Sequence, residues 1–154
     1  MTSLLVVNLH GLINTPAAAR QTLLELGIGR RFAATIVRND PSTLGALRLC
    51  KEYVAWCSVD EALLGSLLKT RGRVSTAKPI DAAALKALGV GSPEELASRM
   101  LEKEWTLSGL RGVKPFFGLS PPRGGFKRST RRQFGEGGVL GENPKLPEIV
   151  KRML

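Results

Sequence analysis

Between residues 110 and 134 the chain carries seven cationic side chains, Arg111, Lys114, Arg123, Lys127, Arg128, Arg131 and Arg132, and neither aspartate nor glutamate. Phe116, Phe117, Phe126 and Phe134 are threaded among them, half of the eight aromatic residues in the protein. Guanidinium and ammonium groups neutralise phosphates and release counterions, while arginine planes and phenyl rings stack on unpaired bases. Together they are RNA-binding chemistry. Gly124 and Gly125 add backbone without Cβ atoms, able to turn sharply or approach a phosphate chain. A solvated tail would account for the charge run, but it has no use for rings and paired glycines.

The rest of the chain is close to balanced. Residues 1–70 hold 7 basic and 5 acidic side chains, 71–109 hold 6 and 5, and 135–154 hold 3 of each, so the net +10 and the pI near 10.3 come mainly from one segment. Such a balance favours a polyanionic partner. A second candidate zone is Arg30 and Arg31 after the first helix with Arg38 at a strand end, grouped at the sheet's edge. Ordinary surface charge accounts for those three equally well.

Catalytic and metal chemistry find little support. His10 is the only histidine, so any Ser-His-Asp or Cys-His arrangement must use it, and no acid lies near it in sequence. The carboxylates Asp40, Glu61, Asp81, Glu94 and Glu95 stand at helix starts, where capping and the helix dipole explain them. Cys50 and Cys57 provide neither a zinc quartet nor a C-x-x-C motif and read as two buried thiols. The run Gly135-Glu136-Gly137-Gly138-Val139-Leu140-Gly141 has Leu140 where a dinucleotide loop needs its third glycine, so it reads as a glycine loop. No catalytic residue, metal site, cofactor or small-molecule substrate is expected.

With 154 residues the chain is sized for one domain with an appendage, and a 43% hydrophobic fraction supplies a core. The apolar stretch Leu4 to Ile13 is interrupted by Asn8 and His10, far short of the ~18 apolar residues of a membrane span. It also lacks the basic start of a signal peptide, so the expected location is cytoplasmic.

The elements that must position the basic segment can be read in order. Leu4–Leu9 is a short apolar run, hence a buried strand. Thr15-Pro16 opens a helix with Ala19, Leu23 and Leu26 as its stripe, closed by Gly27. Phe32–Arg38 is a second strand; Asn39-Asp40-Pro41 starts a second helix bearing Leu44, Leu47 and Cys50. Tyr53–Cys57 is a third strand, and Ser58 with Glu61 forms a capping box before the helix carrying Leu63, Leu64, Leu67 and Leu68. Asp81–Leu88 is a short helix, and Ser92-Pro93-Glu94-Glu95 starts another. Pro115–Leu119 suggests an edge strand, Pro121–Gly125 a turn, and Ile149, Val150, Met153 and Leu154 a final helix.

Several stretches resemble the universal L-thirty family of large-ribosomal-subunit proteins in its archaeal form, related to eukaryotic L-seven. Arg20–Ile28, Val37-Arg38-Asn39-Asp40-Pro41 and Leu44-Gly45 are similar to the small bacterial members. Tyr53-Val54-Ala55-Trp56, Lys69-Thr70-Arg71-Gly72, Leu119–Gly125, Gly135–Gly138 and Val150–Met153 are similar to the longer archaeal and eukaryotic ones.

The resemblance implies an α+β fold: a β-α-β-α-β core with a small antiparallel sheet and helices on one face, plus a helical and basic-loop C-terminal extension. The expected division is 1–70 as RNA-binding core, 71–109 as helical extension, and 110–154 as basic Pro/Gly-rich segment with a C-terminal helix. It also implies a structural, non-enzymatic role in the large subunit, with large-subunit ribosomal RNA, 5S rRNA and neighbouring large-subunit proteins as partners. The RNA-binding residues expected are Arg30, Arg31, Arg38, Lys114, Arg123, Gly124, Gly125, Lys127, Arg128, Arg131 and Arg132. A ribosome-independent RNA-binding or RNA-chaperone protein is the competing reading.

Overall fold

A computed structural model describes residues 3–154. Three strands, β1 (Ser3–Asn8), β2 (Ala33–Arg38) and β3 (Val54–Ser58), pair antiparallel with β1 in the middle. Two helices, α1 (Ala17–Glu25) and α2 (Pro41–Leu49), connect them. This is the expected core. Every residue of β1 is buried, because both faces of the central strand are covered.

Period-two alternation divides the sheet into two apolar faces. Leu4, Val6, Ala33, Val54 and Trp56 pack with Ala19 and Leu23 of α1 and Leu47 of α2. Leu5, Val7, Ala34, Ile36, Ala55 and Cys57 pack on the opposite side with the later helices. Those are α3 (Glu61–Arg71), α4 (Ala82–Ala87), α5 (Pro93–Glu102) and α6 (Leu146–Met153). Leu64, Leu67, Leu96, Met100, Val150 and Met153 are completely removed from solvent there, so α3 and the C-terminal extension together supply the second layer of the molecule.

Three more strands widen the sheet to the order β4-β2-β1-β3-β6-β5. The first, β4 (Phe117–Gly118), adds to β2 antiparallel, as the edge strand expected around Pro115–Leu119. It places Phe117 in the core of one face and Phe116 against that of the other. The remaining two, β5 (Ser129–Gln133) and β6 (Gly138–Glu142), lie at the far side, with β6 parallel to both β3 and β5.

Some local expectations are corrected. The glycine run was expected to be a loop, yet its second half is β6, with Gly138, Val139, Leu140 and Gly141 buried. Two apolar residues give too short a pattern to read; the strand is specified by distant pairing of Gly141 with Ala55 and Glu142 with Trp56. Gly138 is needed for packing, since a Cβ there would overlap the Arg132 carbonyl. The capping box does not form. Ser58 remains in β3 opposite Leu4, and Asp60 occupies the cap position of α3 without a side-chain hydrogen bond. Likewise the Thr15 hydroxyl donates back to the Gly11 carbonyl at 3.3 Å, and α1 begins beyond Pro16. Asp81 and Ser92 do cap their helices, accepting from the amides of Ala84 and Glu95.

Candidate nucleic-acid interface

Because β4 and β5 occupy opposite edges of the sheet, residues 119–128 must cross its whole width. Five inter-strand spacings of roughly 4.8 Å require about 24 Å, a large share of what ten residues can reach when extended. The crossing therefore has little slack. Arg123, Gly124, Gly125, Lys127 and Arg128 are all exposed on it, and Arg131 and Arg132 continue the exposed cationic line along β5.

The crossing is fastened by the end of α6. The Ser120 amide donates to the Met153 carbonyl at 3.1 Å and the Arg123 amide to the Arg152 carbonyl at 3.0 Å. Arg152 Nη1 reaches back to the Gly125 carbonyl at 2.9 Å. Arg71, at the end of α3, donates through Nη2 to Ser120 Oγ at 2.7 Å and to the Leu154 carbonyl at 2.6 Å. Pro122 accepts from the Gly125 amide at 3.0 Å, closing a turn. Gly124 and Gly125 have φ of +78° and +70°, where a Cβ is disfavoured, and open space lies where each Cβ would be. The turn thus offers bare backbone to the outside.

Arg31 and the crossing, read separately in sequence, are brought together. The Arg31 guanidinium lies 4.8 Å from the Phe32 ring centroid, and Phe32 stacks with Phe126 at 6.2 Å. The end of β1 sets this stack: the Phe32 amide donates to the Asn8 carbonyl at 2.6 Å and Arg31 Nε to the Leu9 carbonyl at 3.2 Å. Buried Asn8 holds the same corner by donating to the Ile28 carbonyl and accepting from the amides of His10 and Gly11.

The other expected residues divide. Arg30 shares a groove with Lys114 and Phe116, Lys114 Nζ lying 5.5 Å from that ring's centroid. Arg38 sits at the far end of β2, where Nε donates to the Glu104 carbonyl at 2.8 Å and the side chain lines a groove with Trp105 and Arg111. The three arginines grouped at the sheet's edge are therefore separated by the length of β2, because strand ends six residues apart cannot meet. The phenylalanines divide too. Phe117 is 1% exposed and serves the core, whereas Phe134 is half-buried beneath the Arg128 guanidinium at 5.1 Å.

Beside that Arg128–Phe134 pair is a cavity of about 180 Å³ reached also by Lys127, Lys145, Glu148 and Arg152. The last three were not expected to contribute. Their signal was present as spacing: 145, 148 and 152 fall on one face of a helix. Among the described residues the salt bridge is Glu95–Arg99, on α5, so the cations of the crossing and β5 are not neutralised by carboxylates. No group of three or more metal-ligating side chains occurs among the described residues, and no helix there is long and apolar enough to cross a membrane.

Cys50 and Cys57 are both free and buried, on opposite faces of the sheet. Burial raises both thiols, Cys57 to about 12. His10 packs edge-on against Tyr53 at 5.2 Å.

The sequence profile of "Ribosomal protein L30p/L7e" matches residues 4–54, from β1 through α2 to the first residue of β3. Similarity to individual proteins extends over the whole chain. "Large ribosomal subunit protein uL30" of Nitrosopumilus maritimus is 39% identical over 152 residues, covering 99% of this chain and 98% of that protein. The chain belongs to the L30p/L7e family. Proteins of the same printed name from Cenarchaeum symbiosum and Staphylothermus marinus are 37% and 36% identical, each covering 97% of this chain and 97% and 96% of theirs. The L30p/L7e profile stops short of the crossing, but these archaeal relatives extend through it and α6.

Proposed function

We propose that this chain, a structural and non-enzymatic constituent of the large ribosomal subunit in the cytoplasmic ribosome, holds its place by binding and stabilising large-subunit ribosomal RNA beside the 5S particle and neighbouring large-subunit proteins. The observation that carries this reading is the exposed cationic line from Arg123 to Arg132, with no carboxylate in its own sequence and fastened by α6.

Arg123, Lys127, Arg128, Arg131 and Arg132 grip phosphates around the turn at Gly124 and Gly125. Arg31 joins them through the Phe32–Phe126 stack. Arg30 with Lys114, and Arg38 with Arg111, extend the interface to two further grooves. In this division of labour, residues 1–70 are the RNA-binding core, 71–109 brace it, and 110–154 supply the principal grip.

Replacing Arg123, Lys127, Arg128, Arg131 and Arg132 together by glutamine tests the site in binding to large-subunit rRNA. Each phosphate that the variant no longer neutralises flattens the log-affinity against log-salt slope by up to about one unit. Unchanged affinity and slope would refute the assignment. Retention on purified large subunits at high salt separates this role from that of a transient RNA binder, and crosslinking on the ribosome tests the 5S neighbourhood.

A further inference from the structure

We propose that the cavity between the β5–β6 turn and α6 receives one unpaired nucleobase of the bound RNA, with guanine preferred; this rests on the RNA-binding reading above.

The cavity's size is the first argument. At about 180 Å³ it is smaller than the ~300–1,000 Å³ of pockets that enclose drug-sized molecules, and it suits a single planar ring system. Its lining supplies flat and apolar surfaces together: the Phe134 ring with the Arg128 guanidinium over it, and the aliphatic side chains of Val139 and Ile149. A phosphate-binding groove has no use for such surfaces, whereas a base extruded from a strand stacks on them.

Glu148 is the second argument. It stands among Lys127, Arg128, Lys145 and Arg152, yet among the described residues it makes no ion pair with any of them. A carboxylate opposes phosphate binding, so its presence on this lining suits a bound group that brings hydrogen-bond donors. Ionised carboxylate oxygens only accept. Guanine presents two adjacent donors, the ring N1–H and the exocyclic amine, on its Watson–Crick edge, and one carboxylate can accept from both. The exposed ammonium groups of Lys127 and Lys145 remain for the phosphates flanking the base.

The test uses the full chain and a short oligouridine with one central guanosine, compared with the same strand carrying inosine, which lacks the exocyclic amine. Guanosine should bind about tenfold more tightly than inosine, the size of one hydrogen bond to a charged group. In Glu148→Ala, an exposed substitution that removes the acceptor and leaves the apolar core intact, this preference should vanish. Phe134→Leu should weaken both strands with the salt slope unchanged. Equal binding of guanosine and inosine by the wild-type protein would overturn the proposal. So would failure to bind the oligonucleotide by protein that still binds large-subunit rRNA. Loss of binding to both RNAs would instead defeat the broader reading on which it rests.

Discussion

Arg152 and Gly125 meet through a 2.9 Å hydrogen bond from the guanidinium to the carbonyl, and the amide of Arg123 returns one to the Arg152 carbonyl at 3.0 Å. A cation in the last turn of α6 therefore shapes the loop that carries the phosphate-binding residues. Arg152→Gln should cost about 1 kcal/mol of stability, the net worth of a hydrogen bond, and raise hydrogen exchange at residues 120–128. Exchange that rises equally throughout the chain would deny Arg152 this local role.

Gly137 and Gly138 should respond differently to side chains. Gly138→Ala would drive a Cβ into the Arg132 backbone, so it should destabilise the protein by several kcal/mol or detach β5. Gly137 has φ of +84° and open space around the missing Cβ, so Gly137→Asn should cost only about 1 kcal/mol. Chemical denaturation of the two variants measures the contrast.

Gly125→Val adds a β-branched side chain at φ of +70° without removing a charge. RNA affinity should fall while the salt slope stays as in the parent, opposite to the pattern expected for the five-glutamine variant. A changed slope would mean that the turn acts by placing the cations and not by admitting the RNA backbone.

Burial, and to a smaller extent the Asp60 carboxylate, pushes the Cys57 thiol from 9.0 up to about 12. Between these values the unfolded chain has lost a proton that the folded one retains, so stability must decline as pH rises, by up to about 1.4 kcal/mol per unit for this group. Its contribution is fully present below pH 9. Cys57→Ala should lower stability by opening a small cavity yet flatten the decline, which urea midpoints across the window would reveal. Cys50, also raised by burial, acts in the same direction.

A fragment ending at Lys69 keeps β1, β2, β3, α1, α2 and most of α3 but loses α4, α5 and α6 from the second face. Leu5, Val7 and Ile36 lose part of their cover with them. The fragment should fold with a lower denaturation midpoint and bind a hydrophobic dye that the full chain excludes. Equal stability of fragment and full chain would show that the part of the second layer beyond α3 adds nothing to the core.

The core was legible because its signals are local. Leu4 to Leu9 states a strand on its own, and Asp40-Pro41 or Ser92-Pro93 states where a helix starts. Ser129–Gln133 has no such pattern: all of its side chains can hydrogen-bond or carry charge, and it is a strand only because β6 lies beside it. The cationic site was legible as composition, but its geometry was not. Joining Arg31 to Phe126 needs a meeting of residues nearly a hundred positions apart, and no periodicity encodes that. Phe117 misled for the opposite reason, since a ring among arginines looks the same in sequence whether it faces RNA or fills the core.

The fastening of the crossing has a consequence for synthesis. Ribosomes make proteins from the N-terminus onward, and the bonds that tie Ser120, Arg123 and Gly125 to α6 involve Arg152 and Met153, which are translated later. A nascent chain that has emerged only as far as β5 already displays every cation of the line without the shape that aims them. Translation order thus delays the assembled grip until α6 has emerged and docked, when the core that it fastens to is already made.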